Sequence, residues 1–236
     1  MFIGIGQSGS LENLGPNING RGNEQPPTLS IDGHRLYFAS VRAGGFGSFD
    51  LYVSRRHNKR DNFGWQPAEN LGVGINSTAT EFGPAPFEDD DTGTITLYFS
   101  SNRPGPGSYD IYASMLRPDE TFGPAEIVPE LSTDSADFHP AIRKDGLEMF
   151  LDSDRPGTSG VYYDLWVSTR ESTSGPWSIP VNVGALVNSL YSDVRSILSF
   201  DGTELYFGSE RPGFYGYFDI FVSTPTKLRG PKKLPD

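Results

Sequence analysis

Four acidic residues recur along the chain at intervals that could assemble them around one axis. Each stands just ahead of a short apolar segment, so four such segments set around an axis would form a ring of carboxylates. Carboxylates, together with backbone carbonyls and waters, are the ligands that Ca²⁺ prefers. Glu24, Glu81, Asp137 and Asp193 are therefore the candidate ring for a ligand and for calcium, although a structural role, in which each acid caps the neighbouring blade, is favoured for a residue that recurs in every unit.

Two residues near this ring occur in one copy only, so repetition does not account for them. His139 follows Asp137 by two positions, and Arg195 follows Asp193 in the same way. A histidine beside a carboxylate can act as a general base, which makes Asp137 and His139 the alternative catalytic pair. A lone histidine near the axis is more often a hydrogen-bonded structural residue, and that interpretation stays open beside the catalytic one.

Aromatic residues in glycine-rich loops complete the candidate set. Phe46 and Tyr215 lie in loops where an exposed ring could contact a ligand. The predicted ligand-binding residues are Glu24, Glu81, Asp137, His139, Asp193, Arg195, Phe46 and Tyr215. No nucleophile elbow, phosphate loop or histidine-rich zinc motif occurs in the chain.

A repeated sequence positions these residues. Its cores recur at intervals of 52 to 61 residues, as LYFASVRAGGFGSFDLYVS (36–54), LYFSSNRPGPGSYDIYAS (97–114), MFLDSDRPGTSGVYYDLWVS (149–168) and LYFGSERPGFYGYFDIFVS (205–223). Three copies are preceded by Asp-Gly, a strong signal for a hairpin turn between strands. Alternating apolar residues follow, as in Leu51 and Val53. Each unit therefore predicts four short strands, the last running through segments such as 63–77.

Units of four strands at this period predict an all-β fold, a single β-propeller with four blades of four antiparallel strands. The domain covers 1–236, with repeat cores near 24–54, 81–114, 137–168 and 193–223. LENLGPNIN (11–19) resembles AENLGVGIN (68–76), so a terminal strand is expected to complete the last blade. Five blades are the alternative, but they would need a fifth Leu-Tyr-Phe core.

Arginine and aspartate stand at the two ends of each glycine-rich loop. Bidentate hydrogen bonds between such partners could pin a loop, which predicts pairs such as Arg42 with Asp50. The arginines are Arg42, Arg103, Arg155 and Arg211, and the aspartates are Asp50, Asp110, Asp164 and Asp219.

Composition narrows the classes of partner. The net charge of −11 disfavours nucleic acid, which requires a basic surface. The chain has no cysteine, which excludes disulfides and thiolate chemistry. It has no apolar run of about 18 residues, so no membrane insertion is expected, and the first residues do not form a signal peptide. We expect a monomer.

The repeat resembles a known family. The pattern Asp-Gly-x-x-Leu-Tyr-Phe-x-Ser-x-Arg-Pro-Gly, followed by Tyr-Asp-Ile-Tyr-x-Ser, is similar to the PD40, or WD40-like, repeat of TolB-type propellers and many bacterial envelope proteins. The first copy departs from it at Val41-Arg42-Ala43. The resemblance implies a propeller fold and a periplasmic or extracellular location.

Two functional hypotheses follow. The first is a non-catalytic binding module that presents its loops and central channel to a protein or glycan partner. The alternative is a carbohydrate-active hydrolase or lyase that uses the axial carboxylates and His139. Calcium in the central channel is the one cofactor considered. If Asp137, His139 and Glu81 line an open pocket without arginine partners, the enzyme hypothesis gains; if each recurring acid is bonded to arginine in all four blades, the enzyme hypothesis fails.

Overall fold

The computed structural model describes residues 12–160, 162–213 and 215–224, and within them all regular structure is β-strand. The first antiparallel sheet consists of β1 (Glu24–Leu29), β2 (Arg35–Ser40), β3 (Asp50–Arg55) and β4 (Glu69–Asn70). The second consists of β5 (Glu81–Glu88), β6 (Ile95–Ser101), β7 (Asp110–Met115) and β8 (Glu126–Ile127).

The third and fourth sheets repeat this plan. The third consists of β9 (Asp137–Ile142), β10 (Glu148–Ser153), β11 (Asp164–Thr169) and β12 (Val181–Asn182). The fourth consists of β13 (Asp193–Leu198), β14 (Leu205–Ser209) and β15 (Asp219–Ser223). We call the four sheets blades 1 to 4. The prediction of an all-β, four-bladed propeller is confirmed, and no fifth sheet occurs among the residues just defined.

The hairpin between the first and second strands of a blade depends on glycine. Gly33, Gly146 and Gly202 have φ angles of 77°, 71° and 68°, in the left-handed region that glycine adopts without a Cβ clash. Space also matters at Gly146, because a Cβ there would stand 2.3 Å from the Phe87 ring. The Asp-Gly prediction is therefore confirmed at all three turns.

Apolar side chains between consecutive blades form the core. Tyr37 and Leu51 of blade 1 pack against Leu97 and Phe99 of blade 2, and all four are almost fully buried. Similar clusters join blade 2 to blade 3 and blade 3 to blade 4. Burial of this kind contributes about 1.5–3 kcal/mol for each large side chain, which makes the contacts between blades the main source of stability.

The last blade is packed on one side only in the described part of the chain. Ile220 and Val222 of β15 are 79% and 55% exposed, whereas Leu51 and Val53 at the same positions of blade 1 are 0% and 2% exposed. Residues 12–19, whose likeness to 68–76 predicted closure of this blade, form no strand; Ile18 packs with Leu36 and Phe38 of blade 1, and the Ala68 N–H donates to the Asn17 carbonyl. Closure by the C-terminal segment lies outside the described residues.

The outermost strands are shorter than the sequence pattern predicts. The first of them is limited to Glu69–Asn70, within the segment 63–77. Pro67 has no N–H to donate to the ladder, and the Asn70 side chain accepts the Gly72 N–H at 2.8 Å, which turns the chain away. The segment then crosses to the next blade, where Ile75 joins the core.

Candidate functional site

A bulge in the first strand of each blade shapes the central part of the fold. The register shifts within β1, β5, β9 and β13 two or three residues after the strand begins. Gly83, His139 and Arg195 occupy equivalent places in the last three blades, with φ angles of 58°, 45° and 55°. Glycine adopts this conformation freely, but histidine and arginine do so at a cost of about 1–3 kcal/mol. Strain retained in two blades indicates that these two side chains are needed there.

His139 is bound to a buried carboxylate. Its Nδ1 lies 3.2 and 3.1 Å from the two carboxylate oxygens of Asp152, which is 1% exposed. The backbone N–H of Arg195 in blade 4 donates to the same carboxylate at 3.1 Å. With Nδ1–H donating to Asp152, the Nε2 atom is left as an acceptor that can take a proton. We call Asp152 and His139 the axial pair.

Asp152 is not among the residues predicted from the sequence, although the sequence contains a signal for it. Its position in the second strand is taken by Ala39, Ser100 and Gly208 in the other blades. A carboxylate where every other copy has a small residue breaks the repeat as clearly as His139 does. Comparison of the copies position by position would have singled it out. The carboxylate that His139 contacts is therefore that of Asp152, while Asp137 forms an ion pair with Arg155.

A line of aromatic rings extends from blade 1 to the axial pair. Consecutive ring centroids are 4.7, 6.3, 4.3 and 5.7 Å apart, and the rings are half-buried. We call this line the aromatic row, formed by Phe49, Phe82, Tyr109, Phe138 and Tyr163. The row ends beside His139, whose ring centroid is 5.5 Å from that of Phe138. Blade 4 has Val194 at the place of Phe138, so the row stops at blade 3.

Tyr163 stays protonated at the end of the row. Burial raises the pKa of its hydroxyl above the ordinary value of 10.0, and the negative charges of Asp154 and Asp152 raise it further. A neutral phenol at this place can donate a hydrogen bond to a ligand.

The four recurring acids lie at the start of the first strand of each blade, as the sequence predicts, but each forms an ion pair with an arginine. The ion-pair distances are 3.4 Å for Arg42–Glu24, 3.0 Å for Arg103–Glu81, 2.5 Å for Arg155–Asp137 and 2.7 Å for Arg211–Asp193. Asp137 also accepts hydrogen bonds from the Thr133 backbone and hydroxyl and from the Ser153 hydroxyl. These carboxylates hold the crossing segments and loops of their blades together.

The predicted pairing across each glycine-rich loop is wrong. Arg42 binds Glu24 and the carbonyl of Ile18, and its guanidinium lies 4.8 Å from the centre of the Tyr52 ring. Asp50 instead accepts the backbone N–H groups of Phe46 and Gly47. Stacking on an aromatic face draws the arginine inward, so the loop is held by its own backbone donors.

The remaining predicted ligand residues do not join the axial pair. Phe46 and Tyr215 are 47% and 103% exposed, and their described contacts are backbone hydrogen bonds to Asp50 and Asp219. Among the described residues, no three His, Cys, Asp or Glu side chains are close enough to hold a metal ion. The calcium prediction at the carboxylate ring therefore gains no support from the geometry, because arginines neutralise those acids.

One buried acid differs from its equivalents. Burial raises the pKa of Asp110 from 3.8 to about 6, with a further contribution from the charge of Asp137. In blades 1 and 3 the equivalent aspartates accept a side-chain N–H from Asn70 and Asn182. Blade 2 has Ile127 at that place, so Asp110 lacks the donor that would favour its charged form.

Comparisons with known proteins identify the fold. No family model matches the chain, and no curated protein matches its sequence. Among solved structures, TolB from Acinetobacter baumannii is similar at 13% identity and a TM-score of 0.55, over 88% of this chain and 42% of TolB. An α-L-arabinofuranosidase from Lactobacillus brevis is similar at 16% identity and a TM-score of 0.59, over 85% of this chain and 72% of the enzyme.

Other similar structures are also glycan-cleaving enzymes. The arabinanase of Bacillus subtilis is similar at 15% identity and a TM-score of 0.58, over 89% of this chain and 76% of the enzyme. At these identities the likeness shows the fold alone, and the PD40 assignment remains a resemblance. TolB is nonetheless outnumbered by arabinofuranosidases, arabinanases and a xylosidase. The expectation of a non-catalytic binding module is therefore not supported, because most of these similar structures are enzymes.

No helix in the described residues is long and apolar enough to cross a membrane.

Proposed function

We propose that the protein is a carbohydrate-active enzyme that cleaves glycosidic linkages. The observation that carries the proposal is the axial pair, which occurs in blade 3 alone. Asp152 fixes His139 through Nδ1, so that Nε2 can act as a general base. The recurring acids cannot take this role while they are bound to arginine, so the original alternative is retained with Asp152 in place of Asp137.

The aromatic row supports a sugar ligand. Pyranose and furanose rings present C–H groups on their faces, and aromatic side chains that line a site offer the apolar surface on which such faces rest. Phe138 lies between Tyr109 and Tyr163 and beside His139. A glycan lying along the row would therefore bring one of its linkages to Nε2 of His139.

The structural comparisons agree with this class of substrate. The similar enzymes include arabinofuranosidases, an arabinanase and a xylosidase, so a propeller of this shape supports glycan cleavage. Fold alone does not determine the chemistry of a site, and the axial pair is what argues for catalysis here. A periplasmic or extracellular location would suit a polysaccharide substrate.

A panel of polysaccharides tests the proposal. We expect the full chain to release reducing ends from at least one glycan, and His139→Ala to lower the rate by about 10²–10⁴-fold, the usual contribution of a general base. His57→Ala is the matched control, because His57 is an exposed histidine that hydrogen-bonds Gln66. No release from any member of the panel, or equal rates for both variants, would contradict the proposal.

Phe138→Ala examines the aromatic row separately. We expect a higher KM with a smaller change in kcat, because the ring binds the sugar without reacting. Phe63→Ala is the control, since Phe63 is 53% exposed and lies outside the row.

A further inference from the structure

We propose that the substrate is an acidic glycan whose sugar carboxylate binds Arg195, and that the linkage is cleaved by β-elimination. This inference rests on the proposed function, since it specifies the substrate and the reaction of the same site. It is carried by the guanidinium of Arg195, which has no hydrogen-bond or ion-pair partner among the described residues, and by the attachment of its backbone to the axial pair.

Arg195 differs from the recurring arginines. Its side chain is exposed, and its guanidinium forms no hydrogen bond or ion pair with any residue in the described ranges. Arg155 and Arg211, by contrast, each bind a carboxylate, a serine hydroxyl and a backbone carbonyl. The fold thus holds an arginine with a φ of 55° at a place where its side chain bonds to no other described residue. A guanidinium left open in this way is suited to bidentate binding of a carboxylate.

The backbone ties Arg195 to the base. Its N–H donates to Oδ1 of Asp152 at 3.1 Å, and both oxygens of that carboxylate contact His139. The two residues come from neighbouring blades and share one buried anchor. A uronate bound through its carboxylate to Arg195 would therefore lie within reach of the histidine.

The state of the carboxylates around His139 favours elimination over hydrolysis. Hydrolysis of a glycoside uses two carboxyl groups about 5–9.5 Å apart, one on each side of the linkage. At the centre of this fold the recurring acids are bound to arginine and Asp152 is buried beneath His139, while the exposed Asp154 near Tyr163 accepts the Ala136 N–H. Elimination from a uronate requires a base and a cation that neutralises the sugar carboxylate, and His139 and Arg195 supply these.

The reaction balances without a cofactor. Nε2 of His139 removes the proton on C5, which is acidified because Arg195 neutralises the adjacent carboxylate. The electron pair of the C5–H bond forms the C4=C5 double bond as the C4–O4 bond breaks. The departing O4 takes a proton from solvent, and His139 returns its own proton to solvent. The products are one chain with a new hydroxyl and one with an unsaturated uronate.

The experiment compares polygalacturonate with xylan, using the full chain. Ultraviolet absorbance follows the unsaturated product, and a reducing-end assay follows cleavage of either kind. We expect polygalacturonate to yield both signals. Arg195→Gly introduces at the bulge of blade 4 the residue that blade 2 has there, Gly83, so the variant relieves backbone strain and should fold. We expect it to lower the rate on polygalacturonate by about 10–100-fold, which corresponds to the loss of a charge-assisted hydrogen bond. Arg195→Lys should recover part of the rate.

The outcomes separate this inference from the proposed function. Cleavage of xylan without the ultraviolet signal would overturn the inference and leave the proposed function standing. Elimination that proceeds equally well in Arg195→Gly would overturn the role of Arg195. Absence of cleavage on every glycan would defeat both. Arg60→Ala is the matched control, because Arg60 is an exposed arginine on the 55–66 connection of blade 1.

Discussion

Blades 2 and 3 follow one structural plan, yet of the two only blade 3 has a histidine and a carboxylate at the bulge and the adjoining strand. At the bulge, blade 2 has Gly83 and blade 3 has His139; in the adjoining strand, blade 2 has Ser100 and blade 3 has Asp152. The backbones match in register and in the sign of φ. Blade 2 shows what the fold requires at these places, and blade 3 shows what has been added to it.

Residues that recur in every blade can be distinguished from residues that occur in one blade only. Residues found in every blade, such as Arg103 and Arg155, bind within their own blade and are explained by stability. Residues found in one blade, at a cost in backbone strain, need another explanation. In a repeat protein the departures from the repeat are therefore the more informative positions.

The largest effect should come from giving blade 3 the residues of blade 2. We expect His139→Gly and Asp152→Ser each to lower glycan cleavage by about 10²–10⁴-fold. In His139→Gly the relief of strain at a φ of 45° should offset much of the cost of leaving the buried Asp152 without its ring partner, so we expect the variant to remain folded. Activity assays and thermal unfolding measure the two effects. A variant that is inactive and also unfolded would give the axial pair a structural role instead.

The next effect concerns the arginine–carboxylate pairs, which differ in burial between blades. The side chains of Arg155 and Asp137 are 5% and 0% exposed, whereas those of Arg42 and Glu24 are 17% and 20% exposed. We expect Asp137→Asn to lower the free energy of unfolding by about 3–5 kcal/mol, because it leaves a buried arginine unpaired. Glu24→Gln should cost about 1 kcal/mol or less. Urea denaturation tests the difference, and equal losses would refute it.

A smaller effect is expected from the reverse exchange. A Cβ at Gly83 would stand 3.0 Å from Cα of His139, so Gly83→His should lower the free energy of unfolding by about 1–3 kcal/mol through crowding and strain. Gly72→Ala is the control, since Gly72 has φ of 75° but open space around it. If both variants lose the same stability, crowding between blades 2 and 3 plays no part.

The smallest effect involves Asp110. Its pKa of about 6 in the folded protein lies above the ordinary 3.8, so its contribution to stability is full below pH 3.8 and is lost as the pH rises to about 6. Ile127→Asn would supply the amide donor that Asn70 and Asn182 give in blades 1 and 3. We expect it to lower the pKa of Asp110 and to flatten the fall in melting temperature over this pH range. An unchanged carboxyl titration by NMR would contradict this account.

The fold could be predicted from the sequence because the pattern of one blade recurs four times along the chain. Asp-Gly turns and alternating apolar residues have local causes, and repetition averages out the exceptions. The axial site was predicted in part: His139 and Arg195 were found as departures from the repeat. Asp152 was not, because it lies inside a strand whose other copies are small residues, and its contact with His139 depends on how blades 3 and 4 meet.

The pairing of the arginines was predicted incorrectly for a similar reason. In sequence, Arg42 and Asp50 flank one loop, and proximity along the chain suggested a bond. In space, the guanidinium stacks on Phe38 and Tyr52, which directs it toward Glu24. Which of the two acids the arginine binds depends on how the side chains pack in three dimensions, and the sequence of a single repeat unit does not show this packing.

In the described part of the chain, blade 4 is covered by another blade on one side only, and this should decide which part of the fold opens first. In a linear array each unit is held by its neighbours, so a unit covered on one side has the lowest local free energy of opening. Amide hydrogens of β15 should therefore exchange with solvent earlier than those of β7, whose blade is packed on both sides. Because Arg195 belongs to blade 4 and His139 to blade 3, such an opening would divide the site and abolish activity before the rest of the chain unfolds.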